Sequence, residues 1–99
     1  MKFPADPHQA LIDADKLKGP LVVRNVLPGE RFQPYGMDGR SIKLSDYFIN
    51  ERLPRRARSA YPVVVCENEI VWIPGYRLAH PFRITRGTKI CLFLQLTKN

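Results

Sequence analysis

Acidic side chains are in short supply in this sequence. Nine Asp and Glu stand against sixteen Lys and Arg, a net charge of +7 over 99 residues. That imbalance favours a polyanionic partner such as RNA, DNA or an acidic membrane, and it carries no information about fold. Cysteine is scarce as well: Cys66 sits in VVVC and Cys91 in ICLFL. Neither belongs to a Cys-x-x-Cys or His-x-x-x-His arrangement, so no zinc site is indicated and both thiols are expected reduced in the core. A Cys/His site using His8 or His80 is the sharper alternative, and two isolated histidines beside prolines do not support it. A hydrophobic run of the roughly eighteen residues needed to span a bilayer is missing. The opening MKFPADP also lacks the apolar middle of a signal peptide, so the expected compartment is the cytoplasm.

Catalytic signatures are missing in the same way. Neither G-x-G-x-x-G nor G-x-x-x-x-G-K-[ST] occurs, so no ATP or Mg site is expected in this chain. No Ser or Cys lies in a nucleophile setting, and no carboxylate pair suggests an acid/base couple. A hydrolase built on His80 and Cys66 therefore has almost nothing behind it. The chain is expected to be non-catalytic and metal-free. With 44% hydrophobic residues it suits one compact domain with a modest core.

Taken in order, residues 1–9 are polar with two prolines and look like a linker or tail, which leaves residues 10–98 for the domain. Ala10 to Asp15 suggests a short strand ending in a turn. Leu21-Val22-Val23-Arg24-Asn25-Val26 is a β-branched strand stopped by Pro28-Gly29. Arg24, near its end, suits either solvent or phosphate. From Glu30 to Ser41 the alternation fails, and Pro34, Gly36 and Gly39 mark a long loop, either functional or pinned by Phe32 and Tyr35 with glycines shaping turns. Leu44, Tyr47 and Phe48, with Ile49 and Leu53, give a helix with one buried face while Lys43, Asp46 and Asn50 stay wet. Ser45 is the candidate N-cap. Pro54 stops this helix and opens a second over Pro54 to Ala60, with Ala57 and Ala60 on one face and Arg55 and Arg58 on another. Val63 to Cys66 and Glu69 to Ile73 form a hairpin about Glu67-Asn68, apolar enough on both arms for both faces to be covered. Trp72 is expected in that core rather than as a base-stacking platform. A strand over Phe82 to Thr85, a turn at Arg86-Gly87 and a last strand within Lys89 to Thr97 complete the chain.

The densest chemistry lies between Pro28 and Arg58. Arg40, Lys43, Arg52, Arg55, Arg56 and Arg58 face only Asp46 and Glu51 over the second half of that stretch. Such a run serves equally as a solvated face, but its arginines suit bidentate phosphate contact. Its position directly after the Gly/Pro loop lets loop amides and guanidiniums present one surface to a nucleic-acid backbone. Without an aromatic-rich RNA-binding strand motif, recognition of duplex shape and phosphates fits better than stacking of single-stranded bases.

An ordered series of segments then resembles a known family. Ile12-Asp13-Ala14-Asp15-Lys16-Leu17, Leu21-Val22-Val23-Arg24, Pro28-Gly29-Glu30-Arg31-Phe32-Gln33-Pro34-Tyr35-Gly36, Gly39, Lys43-Leu44-Ser45-Asp46-Tyr47-Phe48, Pro54, Arg58, Pro62 and Ile70-Val71-Trp72-Ile73-Pro74-Gly75-Tyr76-Arg77 are together similar to the C-terminal domain of bacterial tRNA(Ile)-lysidine synthetase. The likeness runs from about residue 10 to 96. It implies a small α+β domain, mainly sandwich-like β-sheets with two short helices, of the kind shared with the phenylalanyl-tRNA synthetase β chain. It also implies a role in holding tRNA(Ile), chiefly at the acceptor stem. An N-terminal domain of the parent enzyme, with its ATP and Mg, joins lysine to the wobble cytidine. The implied partners are tRNA(Ile) and that catalytic domain; a second copy of the chain is left open as a partner, and neither membrane nor DNA is expected. The other open role is a structural or dimerisation domain without RNA contact. Arg24, Arg31, Lys43, Arg58 and Arg77 fall on the family's motif positions, while Arg55 and Arg56 are RNA-binding candidates by charge. Glu30 stands where the family's segment carries Asp, and its longer carboxylate is expected to orient Arg31 or cap the turn.

Overall fold

A computed structural model describes residues 6–97 of the chain. The first residues of the expected linker and the end of the expected domain lie outside that range. Ten short elements follow one another: β1 (Gln9–Asp13), β2 (Leu21–Asn25), β3 (Arg31–Phe32), β4 (Ile42–Lys43), α1 (Leu44–Asn50), α2 (Arg55–Arg58), β5 (Pro62–Cys66), β6 (Glu69–Ile73), β7 (Arg77–Leu78) and β8 (Cys91–Gln95). The strands form three antiparallel sheets, ordered β2-β5-β6-β7, β1-β8 and β3-β4. The result is a small, mostly antiparallel α+β domain.

The β5–β6 hairpin is the centre of the largest sheet, and its sequence accounts for that place. Glu67 and Asn68 both take left-handed backbone angles, φ 48° and 66°, the geometry of a type I′ turn whose twist matches the paired strands. Strand β2 pairs with one edge of the hairpin and β7 with the other, and Val63 to Cys66 and Ile70 to Ile73 are all buried. Within it Val64 lies opposite Trp72 and Val65 opposite Ile70, which leaves Val71 as a bulge. The Val71 carbonyl accepts from the Ala79 amide at 2.9 Å, carrying the sheet past the end of β7. Trp72 is a core residue, as its apolar neighbours suggested.

The first and last strands close the opposite end. Ala10 and Ile12 of β1 are buried, with Leu92 and Leu94 of β8 packed on the same core. Asp13, only 1% exposed, accepts from the Asp15 amide and from the Thr88 hydroxyl, both at 2.9 Å. Asp15 in turn accepts from the Lys89 and Ile90 amides. Two carboxylates from the start of the chain thus fix the entry to its last strand. Cys66 is buried and its thiol points at the Gly19 carbonyl, whereas Cys91 is only half-buried; both are free.

Several sequence expectations change. No strand covers Phe82 to Thr85: His80–Phe82 is a 3-10 turn with Pro81 inside it, and proline's missing amide suits a turn better than a ladder. Phe82 is buried all the same. Ser45 does not cap α1. Lys43 holds that position without a side-chain bond, and the Leu44 amide donates to the Glu30 carbonyl at 2.9 Å. Ile49 is 54% exposed instead of sharing the buried face of Leu44, Tyr47 and Phe48. The helix ends too early for it: Arg52 turns left-handed at φ 61°, its amide donating to Ile49 and that of Leu53 to Phe48, at 3.0 and 2.9 Å. This is a Schellman closure with Arg in the place usually held by Gly, and it folds Leu53 back onto the core. Pro54 is the N-cap of α2 rather than its first residue, and α2 stops at Arg58, leaving Ala60 exposed.

Candidate nucleic-acid interface

The long loop between β3 and β4 is ordered by β7 and the two residues after that strand. The Tyr35 amide donates to the Leu78 carbonyl at 2.8 Å, the His80 amide to the Gln33 carbonyl at 2.6 Å, and Pro34 bridges Ala79. Gln33 closes the loop through its side-chain amide, which donates to the Gly39 carbonyl at 2.6 Å. Gly36 and Gly39 take φ 96° and 79°, conformations that a Cβ would strain. Phe32 is buried edge-on against Tyr47, ring centroids 5.0 Å apart, and so anchors the loop. Tyr35, expected to share that task, is 51% exposed. The amides of Tyr35, Met37 and Arg40 all donate within the fold. These three amides are therefore not available to an anion.

The seven basic candidates separate by how they are held. Arg24 is engaged by Glu30, Nη1 to Oε1 at 3.0 Å and Nη2 to Oε2 at 2.5 Å, with side chains 19% and 10% exposed. The Leu27 amide also donates to Oε1 at 3.1 Å, so Glu30 closes the Pro28-Gly29 turn. Burial works to raise the Glu30 carboxyl, but the Arg24 and Leu27 hydrogen bonds and the Arg24 charge outweigh it and leave it below its ordinary value. The hydrogen bond with Glu30 raises Arg24 against the opposing effect of burial. The expectation that Glu30 orients Arg31 is thus corrected, and its turn-capping role stands. Arg31 instead donates to the Ser41 hydroxyl at 3.1 Å and to the Ser41 carbonyl at 3.2 Å.

Arg31 lies directly opposite Lys43 in the β3–β4 register, and both are exposed, so the fold sets two cations side by side with no acidic partner among the described residues. Arg55 and Arg56 are exposed on α2 with no described hydrogen bond. Arg58, half-buried, donates Nε to the Leu53 carbonyl at 3.0 Å and closes the turn between the helices. It lines a cavity of about 230 Å³ with Glu30, Leu27 and Phe48. Arg77 donates to the Tyr35 carbonyl at 3.1 Å and lines a different cleft, beside Arg83. Arg83 is not among the sequence candidates because it stands in an expected strand; its one signal is a basic residue directly after Pro81-Phe82.

Among the described residues no group of three or more His, Cys, Asp or Glu is placed to hold a metal ion, and no helix is long and apolar enough to cross a membrane. What fold and surface define is a small, basic, mostly antiparallel α+β domain with exposed cations on β3, β4 and α2 that have no acidic partner among the described residues.

Comparison with known proteins places this domain. Residues 21–92 match the family model described as the TilS substrate C-terminal domain, and the chain belongs to that family. The tRNA(Ile)-lysidine synthase of Caldanaerobacter subterraneus subsp. tengcongensis is 42% identical over 86 residues, 87% of this chain and 18% of that relative. That of Clostridium tetani is 35% identical over 91 residues, 92% of this chain and 19% of that relative. The chain thus spans about a fifth of the length of these curated relatives. A crystal structure of a TilS C-terminal domain superposes with a TM-score of 0.75 at 24% identity, covering 99% of this chain and 78% of that one, and so shares the fold.

Proposed function

We propose that this chain is the tRNA-binding C-terminal domain of a tRNA(Ile)-lysidine synthase. In this reading it holds the acceptor-stem region of tRNA(Ile) in the cytoplasm while an N-terminal domain, with ATP and Mg, ligates lysine to the wobble cytidine. The observation that carries the reading is a set of exposed cations without acidic partners among the described residues on a domain of this family. Arg31 and Lys43 stand as cross-strand neighbours, and Arg55 and Arg56 project from α2, with no acidic partner among the described residues. Guanidiniums so placed fit phosphate oxygens, and such contacts fix register on a duplex without reading bases. Arg24 and Arg58 order turns of the fold, and Arg77 holds the β3–β4 loop. Lysine ligation itself falls outside this chain.

A second reading is a docking domain that packs against other parts of its enzyme or against a second copy. The edge strand β2 favours it, because Val22 and Val23 are 50% and 66% exposed. Reversing the charge at Arg55 and Arg56 with Arg55→Glu and Arg56→Glu separates the two. Loss of tRNA binding in an electrophoretic shift assay, with unchanged oligomeric state by light scattering, is the expected result. Unchanged tRNA affinity with altered assembly would favour the docking reading.

A further inference from the structure

A cleft between β1 and β7 has none of Arg31, Lys43, Arg55 or Arg56 in its lining. Its volume is about 400 Å³, the size of a small-ligand site. Tyr35, Arg77, Arg83, Leu11, Leu78 and Asp6 are among its walls.

The lining is chemically mixed in a particular way. Tyr35 is half exposed, yet its backbone is fixed on both sides, by the amide bond to Leu78 and by Arg77 donating to its carbonyl. The fixed backbone sets the ring's root at the cleft wall, where its half-exposed face is open to a ligand. Arg83 is steadied by donating Nη1 to the His80 carbonyl at 2.9 Å. Neither Arg77 nor Arg83 has an acidic partner among the described residues, so each keeps N–H groups for an anion. Leu11 and Leu78 supply apolar wall. Asp6, held below its ordinary value by the His8 backbone amide and ring, adds a charged acceptor. A bare anion would leave the tyrosine and the leucines idle and meet the Asp6 carboxylate unfavourably. A planar group carrying N–H donors and attached to a phosphate uses all of them.

We infer that this cleft takes one unpaired nucleotide of RNA, its base against Tyr35 and its phosphate between Arg77 and Arg83. Bases freed from a helix are bound by aromatic stacking and hydrogen bonds to their edges, and the stacking is tolerant of sequence. The domain then has two modes of contact: phosphates of a duplex on the β3–β4 and α2 surface, and a single-stranded end in the cleft. This inference rests on the RNA-binding reading above and narrows it.

The test uses the 99-residue chain and two fluorescent RNA hairpins of identical duplex, one blunt and one with a short 3′ single-stranded overhang. Fluorescence anisotropy is expected to give about tenfold tighter binding for the overhang, the scale of one stacked base. In Tyr35→Ala and in Arg83→Ala the ratio of the two affinities is expected to fall close to one, while Tyr35→Phe, which keeps the ring, retains it. Circular dichroism melting confirms that each variant is folded. Equal affinity of the wild-type chain for both hairpins would overturn the cleft assignment and leave RNA binding standing. Absence of binding to either hairpin would overturn both. A ratio unchanged in folded Tyr35→Ala would overturn the placement of the base.

Discussion

Replacing Glu30 by Gln removes one charge while nearly keeping shape, and it strikes the pair that closes the Pro28-Gly29 turn. The carboxylate accepts two bonds from Arg24 and one from the Leu27 amide. A glutamine keeps one acceptor oxygen and turns an NH₂ group towards the guanidinium, leaving Arg24 without its counter-charge. Each hydrogen bond to a charged group is worth about 1.5–3 kcal/mol, and an Arg24 side chain still 19% exposed recovers part of that from water. The expected loss is about 2 kcal/mol, or about 8–16 °C in melting temperature for a domain of this size. The pH dependence follows from the lowered carboxyl. A depressed folded-state value means that the pair contributes fully above the ordinary value of 4.5 and is lost as pH falls through the folded-state value below it. Urea unfolding of wild type and Glu30→Gln from neutral pH down to acid should therefore show the gap closing below pH 4.5. Replacing both partners, Arg24→Met with Glu30→Gln, should recover much of the loss, because no uncompensated charge remains. A gap below about 0.5 kcal/mol at neutral pH, the scatter of ordinary surface changes, would refute the reasoning. So would a gap that persists unchanged in acid.

Arg52→Gly should raise stability by about 0.5–1 kcal/mol by relieving the left-handed conformation, while Arg52→Val should lower it, both read by chemical denaturation. Arg58→Ala should destabilise by about 1 kcal/mol through its bond to the Leu53 carbonyl, whereas Arg55→Ala and Arg56→Ala should leave the melting temperature unchanged and each lower the salt dependence of tRNA binding by about one unit. Trp72→Ala should cost about 3–5 kcal/mol, measured by urea unfolding, because its ring fills the core of the central hairpin.

Where pattern and packing coincide, the fold was legible from the residues. Val63 to Ile73 reads as a hairpin because two apolar runs flank a two-residue turn, and the left-handed Glu67 and Asn68 bear that out. Leu44, Tyr47 and Phe48 showed the buried face of α1 by spacing alone. Strands β3 and β4 are two residues each and meet only across a long loop, so no local periodicity reveals them. The same distance hid the cross-strand pairing of Arg31 with Lys43. Adjacency in the chain suggests Arg31 as the partner of Glu30, but Glu30 lies outside β3, and the Pro28-Gly29 turn folds it back onto Arg24 instead. The cleft beside Tyr35 was not legible at all. It joins β1, the loop and β7 through hydrogen bonds that no spacing in the chain encodes.

The central claim is that the free cations of this domain meet RNA phosphates, and the salt dependence of tRNA affinity measures that directly. With about four to six phosphates engaged, the logarithm of the binding constant should fall against the logarithm of salt concentration with a slope of about −4 to −5. Binding to tRNA that is insensitive to salt, or no binding at low salt, would contradict the account.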